Sequence, residues 1–275
     1  MCRLFGFRSI IESHVHSSLT SAENALGVQA ASHPDGWGVA YYVAGTPHVI
    51  KSSSAACEDR LFQRVSGVVT SDTVIAHVRR ATVGELSILN SHPFQFGRWT
   101  FAHNGDIPDF QAVRAELLDC ITPKLRRYVL GDTDSEVLFF MILTNIARRE
   151  DLHRPGVSVE VVADAMRESL ATVEATSARH GLADPLLTTI ITDGSLLLAS
   201  RVRKELHLST RKNRCPERDS CPSFRTECEV DSPFGFVSHF IVSSEPLQGD
   251  NVWNVAADRS IVGCDQRLRR REWAL

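Results

Sequence analysis

Apolar positions in this chain fall into short alternating or continuous runs, a pattern that predicts β-strands. The runs are rich in β-branched and aromatic residues and are bounded by glycine or polar residues, as is typical of strands. Two of them flank Asp193-Gly194 within 186–202, which predicts a β-hairpin. The strand at 48–51 is expected to pair with that at 36–43. The other predicted strands lie at residues 3–7, 73–79, 99–104, 234–244, 252–256 and 260–263.

The clearest helix prediction covers residues 133–149. Thr133 and Glu136 form a capping box and Asp134 adds negative charge to the first turn, which marks a helix start. The nearly continuous apolar surface of this segment indicates burial on more than one side. The other predicted helices cover residues 22–31, 109–118 and 158–180.

The order of these elements predicts the fold class. Strands come in a first cluster, two long helices follow, and strands return afterwards, so the regular alternation of a doubly wound sheet is absent from the pattern. This order fits an α+β fold in which helices pack outside stacked, mainly antiparallel sheets. No repeat or linker divides the chain, so one domain over 1–275 is expected, with an irregular insertion near 203–233.

The composition and charge of the chain limit the kinds of protein and partner that we expect. The chain has 275 residues, of which 43% are hydrophobic and 23% charged, as in an ordinary soluble protein. The net charge of −3 gives no electrostatic reason to expect nucleic acid or membrane as a partner. No run reaches the ~18 apolar residues of a membrane span. Seven scattered cysteines, without a signal-peptide pattern, predict a reduced, cytoplasmic protein.

The cysteine at position 2 has a chemical interpretation. The initiator methionine is usually removed when the next residue is small, which would leave the Cys2 thiol and a free α-amine on one residue. The amine, with a pKa of about 7.7–8.0, can accept the proton of a thiol whose pKa is about 8.5. This is the terminal-amine form of nucleophile activation. By position alone, an incidental cysteine is the commoner explanation.

Asn104-Gly105 in "WTFAHNGDI" has two interpretations. Locally, Asn-Gly after a strand is typical of a hairpin turn. Alternatively, the Asn104 side-chain amide and the Gly105 backbone N–H form an oxyanion site at a strand end. The local pattern by itself favours the turn.

Two charged residues suit an amino-acid substrate. Arg79 follows a predicted strand, and a guanidinium can bind a carboxylate through two hydrogen bonds. Asp134 can hold an ammonium group, or it can simply complement the helix N-terminus. A surface arginine is the simpler interpretation of Arg79, and His77 within an apolar strand is more typical of a hydrogen-bonded core residue.

The segment 203–233 holds Cys215, Cys221 and Cys228. Their spacing lacks the close cysteine pairs of a structural zinc site. With His207 and His239 nearby, a non-enzymatic redox or metal-responsive module is an alternative, as is an ordinary surface insertion. The "LRRRE" sequence near the end is predicted to be a solvated face.

Four segments in this order resemble the class II glutamine amidotransferases: the initial Met-Cys, "HVRRAT", "AHNGDI" and "DTDSE". "HPDGWGVAYY" resembles the stand-alone branch that includes the γ-glutamyl hydrolase of ergothioneine synthesis. The resemblance is strong over 1–145, and "VSSEPL" and "IVGCD" extend it to the rest of the chain except 203–233. It implies a four-layer αββα sandwich and chemistry that needs no metal or cofactor.

The resemblance also implies catalytic roles. Cys2 matches the nucleophile and its α-amine the base, while the Asn104 side chain and the Gly105 N–H match the oxyanion hole. The expected reaction is hydrolysis of the γ-amide of glutamine or of a γ-glutamyl compound through a thioester. The ammonia would pass to a separate synthase subunit, or the protein would act as a free-standing hydrolase.

Substrate-binding roles follow in the same way. Arg79 matches the ligand of the α-carboxylate, with Thr82 in support, and Asp134 matches the ligand of the α-amine. Arg80 and Val83 depart from the Trp and His of "HTRWATHG" amidotransferases, and Arg80 alters the rim where an acceptor would bind.

Overall fold

The computed structural model describes residues 2–14, 19 and 25–275. The strands are β1 (Arg3–His14), β2 (Trp37–Val43), β3 (Thr46–Ser52), β4 (Thr70–Val78), β5 (Phe94–Phe96), β6 (Trp99–Asp106), β7 (Leu186–Thr192), β8 (Leu197–Arg201), β9 (His207–Ser209), β10 (His239–Ser243), β11 (Asn254–Val255), β12 (Ser260–Cys264) and β13 (Arg270–Ala274). The α-helices are α1 (Leu26–Gln29), α2 (Arg60–Val68), α3 (Phe110–Asp119), α4 (Pro123–Arg126), α5 (Asp134–Ala147) and α6 (Val159–Arg179). Short 3₁₀ turns cover Ala30–Ser32 and Thr226–Cys228.

The strands form two antiparallel sheets. The first has the order β11-β9-β10-β1-β4-β2-β3 and the second β13-β12-β8-β7-β6-β5. Leu4, Ile75, Ala102 and Ile190 belong to an apolar layer between the sheets. Helices α1 and α2 cover part of the outer face of the first sheet, and α3, α5 and α6 cover the second. The predicted α+β, four-layer αββα sandwich is therefore confirmed.

Helix α5 shows why its sequence is apolar almost all round. Every residue from Asp134 to Ile146 is buried, because the helix packs among α3, α6 and the second sheet. The Thr133 hydroxyl accepts a hydrogen bond from the Glu136 N–H at 3.3 Å. The other half of the predicted capping box is wrong, since the Glu136 carboxylate accepts from the backbone of Leu130 and Gly131 instead. In the described ranges, no helix is long and apolar enough to cross a membrane.

Most predicted elements are confirmed, and β1 extends well beyond its predicted end. Of the helix predicted over 22–31, residues 26–29 are helical and residues 22–24 lie outside the described part. Helix α2 and strands β5, β9 and β13 were not predicted. The "LRRRE" sequence enters β13, a strand at the sheet edge, where charged residues are common because they discourage pairing with other chains.

Candidate active site

Cys2 directly precedes β1. Side chains alternate along a strand, so Cys2 lies on the same face as Leu4, toward the second sheet. Its Sγ donates to the Arg80 carbonyl at 3.3 Å and accepts from the Arg80 N–H at 3.2 Å. Burial raises the pKa of the Cys2 thiol, although the Arg80 backbone and the Arg79 charge act in the opposite direction. The thiol is therefore protonated at neutral pH and needs a base to react.

A small pocket of about 20 Å³ opens beside Cys2. Its other lining residues come from distant parts of the chain: Arg79, Arg80, Thr82, Val83, His92, His103, Gly105, Thr133, Asp134 and Ser135. Five of the six predicted site residues thus share one pocket. The sixth, Asn104, is not among the residues that line it.

Asn104 and Gly105 lie inside β6, where they pair with Thr188 and Leu187. The hairpin-turn interpretation is therefore wrong. A Cβ atom on Gly105 would come within 1.8 Å of the Leu186 carbonyl oxygen, so only glycine fits this position. In the described part of the chain, neither Oδ1 nor Nδ2 of the buried Asn104 amide has a hydrogen-bond partner. Such a group is unusual in a folded protein.

Arg79 is buried, so the surface-arginine interpretation is also wrong. It is 3% exposed, and its guanidinium donates to the carbonyls of Val83 at 2.8 Å and Glu85 at 3.2 Å. Its backbone N–H donates to the Gly36 carbonyl at 2.7 Å. Arg79 therefore holds the loop that forms one side of the pocket.

Asp134 is the first residue of α5 and is also buried. Its Oδ2 accepts from the Ile107 N–H at 2.8 Å and its Oδ1 from the Ser135 N–H at 2.7 Å. The carboxylate joins the segment after β6 to the start of α5 and lines the pocket at the same time. The two interpretations of Asp134 are compatible.

Two side chains that the sequence did not reveal fix the loops around the pocket. The Asp35 carboxylate accepts from the Ala81 N–H at 2.8 Å, which fixes the chain beyond Arg79. The Asn90 amide donates to the Glu85 carbonyl at 3.0 Å, and its oxygen accepts from the Asp132 N–H at 3.1 Å. Asp35 belongs to "HPDGWGVAYY", the stretch that carries the resemblance to the stand-alone branch, but no role was assigned to it there.

His92 and His103 also line the pocket without having been predicted. Since the Leu186 carbonyl can only accept, His103 Nε2 donates to it at 2.8 Å, and Nδ1 lies 2.9 Å from the Ser135 hydroxyl oxygen, which is also 3.1 Å from Asp134 Oδ1. The rings of His92 and His77 are 4.3 Å apart. Burial lowers the pKa of His77 to about 3 and that of His92 well below its usual value. His77 is a buried core residue, as predicted.

The cysteines of the segment 203–233 lie away from the Cys2 pocket. Cys215, Cys221 and Cys228 are half-buried and unpaired, and they line a separate cavity. Across the described residues, no group of three Cys, His, Asp or Glu side chains is placed to hold a metal ion. The geometry therefore gives no support to a metal-responsive module.

The sequence profile of the family "Glutamine amidotransferases class-II" matches residues 1–263. The chain belongs to the class II glutamine amidotransferases. This confirms the resemblance inferred from the motifs and extends it across 203–233. The family is one of enzymes.

Individual relatives show how far the similarity extends along the chain. YafJ of Escherichia coli, a putative glutamine amidotransferase, is 26% identical over 285 residues, covering 100% of this chain and 97% of that protein. DUG3 of Saccharomyces cerevisiae, a probable glutamine amidotransferase, is 31% identical over 183 residues, covering 61% of this chain and 51% of that protein. The gamma-glutamyl-hercynylcysteine sulfoxide hydrolase of Mycobacterium tuberculosis is 36% identical over 115 residues, covering 38% and 49%. The amidotransferase thus spans about half the length of two of these relatives.

The fold of the amidotransferase matches solved structures. A glutamine aminotransferase class-II domain protein from Silicibacter pomeroyi superposes with a TM-score of 0.68 over 100% of both chains, at 21% identity. At this identity the similarity establishes the fold, and the chemistry of the site has to be argued from its own residues.

Proposed function

We propose that this protein hydrolyses the γ-amide of glutamine or of a related γ-glutamyl compound, with Cys2 as the nucleophile. The observation that carries the proposal is the meeting of a thiol, a cation and an anion in one pocket. Cys2 supplies the thiol, Arg79 the cation for an α-carboxylate, and Asp134 the anion for an α-amine. An amino-acid substrate needs both charges, and its side-chain carbonyl would then face the thiol.

The proposed reaction starts after removal of Met1. The α-amine of Cys2 takes the thiol proton, and Sγ attacks the γ-carbonyl carbon. The resulting oxyanion accepts hydrogen bonds from Asn104 Nδ2 and the Gly105 N–H. The protonated α-amine then gives its proton to the leaving amine, the C–N bond breaks, and a γ-glutamyl thioester remains. Water, deprotonated by the same amine, hydrolyses the thioester and regenerates the thiol.

The positions of Asn104 and Cys2 between the two sheets support the oxyanion role of Asn104. Asn104 lies on the same face of β6 as Ala102, toward the first sheet, while Cys2 faces the second sheet with Leu4. The two side chains thus point into the same interlayer. The unpaired buried amide is ready to bind a developing charge without first giving up another hydrogen bond.

The pocket must widen to admit a γ-glutamyl group, which is larger than about 20 Å³. Arg79 links this change to substrate binding, because its guanidinium is bound to the carbonyls of Val83 and Glu85. A substrate carboxylate would replace these neutral partners with a charged one and form the stronger hydrogen bonds. The loop would then be free to move outward.

The amine released from the substrate can be used in two ways, and both are proposals. The M. tuberculosis relative is named a hydrolase of a γ-glutamyl compound, which favours free-standing hydrolysis here. Transfer of ammonia to a separate synthase subunit is the alternative. Capture of a synthase from the native cell by the tagged protein, together with glutamine-dependent product formation, would favour the alternative.

A covalent-labelling experiment tests the nucleophile. We expect intact-mass analysis after treatment with a diazoketone analogue of glutamine to show loss of Met1 and a single adduct, located on Cys2. The Cys2→Ala variant should remain unlabelled, whereas Cys57→Ala, which removes an exposed cysteine, should label like the native protein. Retention of Met1, or an adduct on another cysteine, would overturn the mechanism.

Substitution of the charged pocket residues tests the binding mode. We expect Arg79→Ala and Asp134→Asn each to raise KM by about 10–100-fold with little change in kcat, since a hydrogen bond to a charged group contributes about 1.5–3 kcal/mol. Arg98→Ala is the matched control, because Arg98 pairs with Asp193 at 3.5 Å outside the pocket. Unchanged KM in both pocket variants would remove these residues from substrate binding.

A further inference from the structure

A second cavity, of about 410 Å³, lies on the outer face of the first sheet. Its floor comes from β1 and β10, where Phe7 pairs with Ile241 and Ser9 with His239. Segments 212–228 and 248–251 close over it. It shares no lining residue with the Cys2 pocket, and Ser9 lies about 23 Å along β1 from Cys2 at ~3.3 Å per residue. We name it the outer cavity.

Buried polar atoms without partners mark the outer cavity as a binding site. Ser238 and His239 are 6% and 8% exposed. Within the described ranges, Ser238 Oγ, His239 Nε2 and Asn251 Oδ1 have no hydrogen-bond partner, and all three residues line the cavity. Each such atom has lost its hydrogen bonds to water without gaining a replacement, which is unfavourable. A ligand with a hydrogen-bonding edge would satisfy them together.

The polar floor carries no charge at neutral pH. Burial, together with the nearby Lys212 charge, lowers the pKa of His239 to about 4, so its imidazole is neutral. Ser238 and Asn251 are uncharged side chains. The floor therefore offers a hydroxyl, a neutral ring nitrogen and an amide oxygen, a mixed set of donors and acceptors.

The walls of the outer cavity are polarizable and apolar. Cys215, Cys221 and Cys228 present thiols, and Phe7 and Phe224 present aromatic rings. Sulfur atoms and aromatic side chains both make favourable contacts with a flat ring. The volume lies within the range of about 300–1,000 Å³ that is usual for small-molecule pockets.

Charged groups in the lining argue against an anionic ligand. The lining contains one cationic side chain, Lys212, and three carboxylates, those of Glu12, Glu217 and Asp250. The balance is negative, so a phosphate or carboxylate group on the ligand would be repelled. A neutral or weakly cationic ring is preferred.

We propose that the outer cavity binds an uncharged planar nitrogen heterocycle of the nucleobase type. The ring would lie between the Phe224 and thiol walls, with its donor–acceptor edge against Ser238, His239 and Asn251. This site goes beyond the hydrolysis proposed for Cys2 and does not depend on it.

Thiol protection tests the proposal, with adenine and uracil as probes and AMP as the anionic counterpart. The native protein is alkylated with iodoacetamide and each cysteine is followed by mass spectrometry. We expect at least one probe to slow alkylation of Cys221 and Cys228 by about fivefold or more at millimolar concentration. Exposed Cys57 should be unaffected, and AMP should protect less than adenine. Absence of protection by both bases, equal protection of Cys57, or stronger protection by AMP would overturn the proposal.

Substitutions in the floor of the outer cavity provide a second test of the proposal. Ser238→Ala removes one hydroxyl with little change in volume and should weaken binding of the protecting base about tenfold in equilibrium dialysis. Ser232→Ala, on the same segment but outside the cavity lining, is the matched control. Hydrolysis of γ-glutamyl compounds should be unchanged in both variants, which separates failure of this proposal from failure of the proposed function. Equal base affinity in Ser238→Ala and the native protein would contradict the assignment.

Discussion

Insertion of one alanine between Met1 and Cys2 is expected to abolish γ-glutamyl hydrolysis, lowering kcat/KM by roughly 10⁴-fold or more. The thiol would keep its place before β1, but the α-amine would be displaced from it. Burial raises the pKa of the Cys2 thiol, so the reaction depends on a nearby base. The lining histidines are poor substitutes, since burial lowers the pKa of His92 and both nitrogens of His103 are already bonded.

Matched variants isolate the role of the amine in that experiment. Cys2→Ala should be equally inactive, and Cys57→Ala should retain native activity. Circular dichroism and the unfolding midpoint of the insertion variant should match the native protein, because the addition precedes the sheet. An insertion variant with native kcat/KM would show that another group serves as the base.

Asn104→Ala is expected to lower kcat by about 10²–10³-fold with little change in KM, the usual effect of losing one oxyanion donor. Its effect on stability should be small or even favourable. The Asn104 amide is buried without a partner in the described structure, and removing an unsatisfied polar group relieves its desolvation cost. The measurements are steady-state kinetics and urea unfolding of the same preparation.

Asn145→Ala is the control for that variant. Asn145 is also buried, but its amide donates to Ser169 Oγ at 3.0 Å on the far helix layer. Its loss should reduce the free energy of unfolding and leave kcat unchanged. If Asn104→Ala instead keeps native kcat and only destabilises the fold, Asn104 is a structural residue of β6.

The fold was predictable wherever a local pattern matched the final environment. Helix α5 combines a capping threonine with an apolar surface that the structure buries on every side. Helix α2 escaped prediction because it is only 9 residues long and contains Gly67, a poor helix former. Strand β13 was missed because its exposed edge position tolerates the charged residues that usually indicate a solvated loop.

The candidate site was predictable from motifs, but its packing was not. Asn104-Gly105 has the local signature of a turn, and pairing with β7 keeps it extended. The Asp35 carboxylate fixes the loop beside the pocket through Ala81, 46 positions away, and His92 lines the same pocket as Cys2. The local pattern of apolar and polar residues contains no information about such tertiary contacts. The outer cavity was equally hidden, since His239 and Cys221 belong to different segments of the chain.

Strand β1 is an interior strand, with β10 on one side and β4 on the other. The first residues of most chains fray because little holds them, whereas here both neighbours hold the start of the strand from Arg3 and Phe5 onward. From Arg3 onward the chain is thus held like an interior strand of the sheet. A practical consequence follows for recombinant work: an affinity tag belongs after Leu275, because the proposed mechanism requires a free α-amine on Cys2, and a tag before Cys2 is expected to give a folded protein without γ-glutamyl hydrolysis.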